Sequence, residues 1–72
     1  MGFSKDDLMK LVQAGAGLIL DVSGMTKDDL VDIAKAAYQR DTVVTFKGVA
    51  GMTVEDLTEV AMAGVEAVIL QL

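Results

Sequence analysis

Apolar positions along this chain come in three helix-period bursts, each followed by a short β-rich run. Leu8, Leu11, Val12 and Gly15 fall at i, i+3, i+4 and i+7. Leu30, Ile33, Ala34 and Ala37 repeat that spacing, and so do Leu57, Val60, Ala61 and Gly64. Such a period puts each set on one face of an α-helix. Between and after the bursts lie Leu18 to Val22, Thr42 to Phe46 and Ala67 to Leu72, whose apolar and β-branched residues predict strands. The order is αβαβαβ.

The helix starts are copies of one another. Phe3-Ser4-Lys5-Asp6-Asp7-Leu8, Met25-Thr26-Lys27-Asp28-Asp29-Leu30 and Met52-Thr53-Val54-Glu55-Asp56-Leu57 align without a gap. Ser4, Thr26 and Thr53 stand as N-caps, 22 and 27 residues apart. Asp7, Asp29 and Asp56 take the third helical position, as in a capping box. Phe3, Met25 and Met52 have the hydrophobic-staple spacing to Leu8, Leu30 and Leu57. The paired acids oppose the positive end of each helix dipole. Gly15 and Gly64 are placed to end the first and third helices in the left-handed conformation, whereas the second has no such glycine and should run to Tyr38 or Gln39. Repeats of this length are stacked supersecondary units.

These units predict one α/β domain over residues 1–72, with repeats of about 3–24, 25–51 and 52–72. Strands separated by helices pair in parallel through right-handed crossovers, so a three-stranded sheet carries all three helices on one face. Leu18, Leu20, Val22, Val44, Phe46, Val68, Leu70 and Leu72 would face the helices. The open face would then carry an apolar row of Ile19, Val43 and Ile69 beside a polar row of Asp21, Thr45 and Gln71. A half-apolar uncovered face is a natural contact surface. The last strand lacks Pro and Lys, and such an edge invites pairing with a second copy, antiparallel in a two-fold dimer.

Composition narrows the chemistry. The 72 residues include no His, Cys, Pro or Trp, and eleven acids against six bases give a net charge of −5. Absence of Cys removes disulfides, thiolate nucleophiles and Cys-based metal sites, and absence of His removes the commonest neutral-pH base. Lysines scattered among carboxylates argue against nucleic-acid binding. The N-terminus lacks the pattern of a signal peptide or a myristoylation site, and the apolar stretch from Val12 to Leu20 is too short to cross a bilayer. A cytoplasmic protein without membrane or nucleic-acid partners is expected. A core this small usually needs a staple, and with no disulfide or obvious metal site oligomerisation is the ordinary route left.

Leu18-x-Leu20-x-x-Ser23-x-Met25-Thr26, continued by Leu30-x-x-Ile33-Ala34, resembles a leucine-rich repeat of the ribonuclease-inhibitor kind. Ser23 stands where that family has Asn or Cys, and the second passage, Val44-x-Phe46 to Met52-Thr53, is one residue longer. The resemblance implies a curved solenoid that binds protein on its strand face, here Ile19, Asp21, Val43, Thr45 and Lys47. The terminal caps usual in solenoids are absent. Leu18 to Thr26 and Val44 to Val49 are also similar to the strand-to-helix corner and following strand of STAS domains. Lys27-Asp28-Asp29-Leu30 replaces that family's phosphorylatable serine, so its switch does not carry over. Asp21-Val22-Ser23-Gly24-Met25 is not the Asp-Ser-Leu motif of acyl carrier proteins.

Other chemistry has a structural explanation. Asp6/Asp7, Asp28/Asp29 and Glu55/Asp56 could gather around Ca²⁺ or Mg²⁺, but capping accounts for them and their spacing has no EF-hand period. Gly48-Val49-Ala50-Gly51 and Ser23-Gly24 lack the phosphate-loop patterns, and the adjacent acids would repel phosphate. Ser4 beside Lys5 is no catalytic dyad, since neighbouring helix positions diverge. We therefore expect no catalytic, cofactor or metal site. The expected function is a non-enzymatic, self-associating interaction or scaffold module, a homo-oligomer with a dimer favoured, with room for a protein partner. Its contact residues would be Ile19, Asp21, Val43, Thr45, Lys47, Ile69 and Gln71. A small STAS-like regulatory domain and a cation- or anion-binding enzyme fragment are the alternatives.

Overall fold

Each helix begins where a hydroxyl can accept an orphan backbone N–H. In a computed structural model that describes residues 3–72, Ser4, Thr26 and Thr53 are extended N-caps. Their hydroxyls accept from the N–H of Asp7, Asp29 and Asp56 at 3.2, 3.2 and 3.1 Å. The helices that follow are α1 (Lys5–Gln13), α2 (Lys27–Gln39) and α3 (Val54–Gly64). The strands are β1 (Leu18–Asp21), β2 (Val44–Lys47) and β3 (Val68–Leu70), the last reached through a single 3₁₀ turn, Val65–Ala67. Each strand is shorter than its sequence run. A reciprocal capping box forms at α1, where the Ser4 N–H donates to Asp7 Oδ2 at 3.2 Å. At α2 the corresponding carboxylate, Asp29, lies 3.4 Å from the Lys5 ammonium.

The strands pair in parallel in the order β1-β2-β3. The α/β fold of three consecutive helix–strand units is the one the sequence pattern implies. Central β2 buries Val44 and Phe46 completely, while Thr45 and Lys47 point the other way. Val12, Leu30, Ile33, Ala34, Ala37 and Val60 meet them from the helices. This alternation leaves one sheet face covered and the other open. Leu11, expected on the buried face of α1, lies at its margin and is exposed.

The first two helices end alike despite different residues. After α1 the N–H groups of Gly15 and Ala16 donate to the carbonyls of Val12 and Leu11 at 2.8 and 3.1 Å, with Gly15 at φ +97°. After α2 the N–H groups of Asp41 and Thr42 donate to Tyr38 and Ala37 at 3.2 and 3.0 Å, with Asp41 at φ +56°. Both are Schellman motifs. The third end departs from expectation. Gly64 is helical, and the positive φ, +53°, falls on Val65. A methyl group on Gly64 would overlap the Val68 side chain and press on Ala34 Cβ at 3.0 Å. Gly64 is therefore a close-packing residue between α3 and α2 rather than the left-handed cap.

Register is the second departure. Leu18, Val44 and Val68 are aligned, and the next row is Ile19, Thr45 and Ile69. The expected row of Ile19, Val43 and Ile69 is displaced by two residues on β2. The cause is the end of α2, whose Schellman turn occupies Asp41 and Thr42, so the ladder begins at Val44. A two-residue slip keeps the β2 side chains on their expected faces, whereas a one-residue slip would invert them; Leu72, expected to face the helices, lies past the end of β3 and is 92% exposed.

Candidate functional site

The open sheet face is built by the residues that alternate away from the helices. Its central row crosses all three strands as Ile19, Thr45 and Ile69. Ile19 is 72% exposed and Ile69 52%. Thr45, on the central strand, is half-buried between them. Asp21 pairs in register with Lys47, so a charged row borders the isoleucines on one side. The expected polar row of Asp21, Thr45 and Gln71 is replaced by this arrangement. Gln71 lies past the end of β3, where its N–H donates to the Phe46 carbonyl at 2.9 Å. Val43 precedes β2, is exposed, and accepts at its carbonyl from the Leu18 N–H at 3.3 Å. Of the seven predicted contact residues, the structure aligns Ile19, Thr45 and Ile69 in one row and Asp21 with Lys47 in the next. It sets Val43 and Gln71 at opposite strand ends.

At the carboxyl ends of the strands the chain ties a local knot that the spacing did not reveal. Asp21 Oδ1 accepts from both the Ser23 N–H, at 3.0 Å, and the Ser23 hydroxyl, at 2.6 Å. Gly48 passes over this turn at φ +77°, and a Cβ there would lie 2.5 Å from Asp21 Oδ1 and 2.6 Å from Ser23 Oγ. Only a residue without a side chain fits both that conformation and that gap. The Ser23 hydroxyl bond, then the Ser23 backbone bond and the nearby Lys47 charge, hold the Asp21 carboxyl below its ordinary pKa. This corner joins the first loop to the exit of β2. The Ser23 hydroxyl proton is committed to Asp21, and among the described residues no polar or charged side chain is buried.

The lysines at the first helical positions also have a defined place. Lys5 Nζ lies 2.6 Å from Asp32 Oδ2 and 3.4 Å from Asp29 Oδ1, bridging α1 to α2. Lys27 Nζ lies 2.8 Å from Glu59 Oε2, bridging α2 to α3. Counted from the N-cap of each unit, both bonds join position one of one unit to position six of the next. The hydrogen bond that Lys5 donates to Asp32 raises the Lys5 pKa, and the one that Lys27 donates to Glu59 raises that of Lys27. Asp32 is correspondingly lowered by Lys5. The repeat register contained this signal, because Lys5 and Lys27 are equivalent and so are Asp32 and Glu59. The acidic doublets stand at three separate helix starts, and among the described residues no three acidic side chains converge as a metal site requires.

Among the described residues no helix is long and apolar enough to cross a membrane. No family model matches the chain, and no match was found to a curated protein or to a solved structure.

Proposed function

We propose that this chain is a non-enzymatic, self-associating protein-interaction module that works through its open sheet face and the free edge of β3. The observation that carries this reading is the pair of exposed isoleucines, Ile19 and Ile69, flanking Thr45 across a sheet face that no helix covers. Apolar side chains held in a rigid row, rimmed by the Asp21–Lys47 pair, suit a protein contact with a hydrophobic centre and a polar rim. The resemblance to leucine-rich repeats supports the same use, since that family binds protein on its strand face. Consecutive parallel strands in chain order are what such a repeat needs.

The β3 edge serves self-association. Ile69 is the centre of the three-residue strand. In a two-fold antiparallel pairing centred there, the two Ile69 side chains are cross-strand neighbours. The test is molar mass by light scattering after size exclusion, over a concentration series. The wild-type chain should reach twice the chain mass. Ile69→Lys, which sets two like charges side by side, should stay at the single-chain mass while keeping its far-ultraviolet circular dichroism. A wild-type chain that is single at every concentration overturns self-association. A paired Ile69→Lys variant overturns the Ile69-centred contact.

A further inference from the structure

The third unit joins its helix to its strand by a shorter connection than the other two. Four residues, Ala14 to Gly17, separate α1 from β1, and four, Arg40 to Val43, separate α2 from β2. Only three, Val65 to Ala67, separate α3 from β3. In the longer connections the left-handed φ falls on Gly15 and Asp41, two residues past the helix, where a Schellman turn reverses the chain. In the shorter one it falls on Val65, at φ +53° and ψ −120°, a conformation that a β-branched residue resists. The residues on either side favour the helix. Gly64 is helical, and Val65–Ala67 is itself a 3₁₀ turn. Buried Val60, Gly64 and Ala67 fall at i, i+4 and i+7, so the helical period continues through that turn. With a negative φ at Val65, α3 runs on through Ala67 and carries β3 away from its own sheet.

The contacts that hold β3 can be supplied by a second copy. It is an edge strand bonded to β2 alone, with Val68 and Leu70 half-buried against the core. The ion-pair ladder, Lys5 to Asp32 and Lys27 to Glu59, joins helix to helix and leaves β3 outside it. We infer that two copies of this chain exchange β3, each strand pairing in parallel with β2 of the other copy and Val65 serving as the hinge. The inference rests on the self-association reading and states which chain supplies the edge strand. Each sheet still runs β1-β2-β3, with Val68 beside Gly64 and Ile69 beside Thr45, so exchange keeps the contacts of the closed chain. The two forms differ at the hinge, whose strain is released twice in each pair. Short hinges under strain favour such exchange.

The test places one cysteine on each side of the β2–β3 pairing, in a chain that has none of its own. Lys47 and Gln71 follow Phe46 and Leu70 in the register, and the Gln71 N–H donates to the Phe46 carbonyl. Neighbouring strands, about 4.8 Å apart, bring the two positions within disulfide range. In the antiparallel edge contact centred on Ile69 the two Gln71 positions lie at opposite ends, so they do not link to each other. The paired fraction of Lys47→Cys with Gln71→Cys is oxidised and weighed by mass spectrometry in denaturant without reductant. Exchange gives two chains joined covalently, at twice the chain mass. A paired fraction that yields only the single-chain mass overturns exchange and leaves the edge contact standing. A wild-type chain that is single at every concentration overturns self-association, and exchange with it. Adding Val65→Gly removes the strain, so the two-chain share should fall several-fold at unchanged circular dichroism. An unchanged share overturns Val65 as the hinge.

Discussion

Val65 occupies a backbone conformation that suits glycine, at φ +53° and ψ −120°. For a β-branched residue this is strained. Asp41 is also left-handed, at φ +56°, but a short polar side chain adopts that region more readily. Val65→Gly should therefore stabilise the fold by about 1 kcal/mol after the greater chain entropy of glycine is subtracted. Asp41→Gly should stabilise it by less. Gly64→Ala should act in the opposite direction, lowering stability by about 1–3 kcal/mol, because its methyl must displace the Val68 side chain and Ala34. Urea unfolding at one fixed protein concentration checks all three. A destabilised Val65→Gly would show that the side chain contributes more than its backbone costs. Sequence alone does not separate these glycine roles. Gly15 and Gly64 look identical in the repeat, yet one supplies a positive φ and the other a close approach that depends on where α2 lies.

At the level of elements, the ladder and the Asp21 corner set the pH behaviour. Asp21 and Asp32 are lowered in the folded state, so they add stability above the ordinary carboxylate pKa of about 4, lost as pH falls through their folded values. Lys5 and Lys27 are raised, so their contribution is full below the ordinary lysine value and lost as pH rises through the folded one. Thermal midpoints should be flat between these limits and fall on both sides. Asp32→Asn should flatten the acid limb. Lys27→Glu or Glu59→Lys should each lower the midpoint, and the double exchange should recover part of the loss, less so in high salt. A loss in the double exchange equal to the sum of the two single losses would remove the ladder as a stabilising contact. Helix positions, helix starts and the strand faces were legible because they depend on local period and capping, and the strand order because crossovers of one hand keep consecutive strands adjacent. The pairing row was not, since it depends on how many residues the Asp41–Thr42 turn consumes. The partners of Lys5 and Lys27 were encoded in the repeat but become visible only when unit is set against unit.

For the whole molecule, the ladder that binds unit to unit is incomplete in the first and third units. Internal interfaces place a lysine at position one against an acid at position six, and the two outer ends carry Val54 and Lys10 instead. These residues leave a neutral flank on α3 and a charged one on α1. Supplying the missing lysine and the missing acid should therefore let α3 of one copy stack on α1 of another. Val54→Lys with Met62→Lys copies onto α3 the lysines that α2 carries at the equivalent positions, Lys27 and Lys35. Adding Lys10→Glu supplies the missing acid at the other end, as Asp32 and Glu59 do inside the chain. The triple variant should then associate head to tail, with a scattering mass that rises with concentration and shows no plateau, and high salt should reverse it. A triple variant that stays single would mean that exposed charge pairs cannot drive stacking without the buried apolar contacts of the internal interfaces.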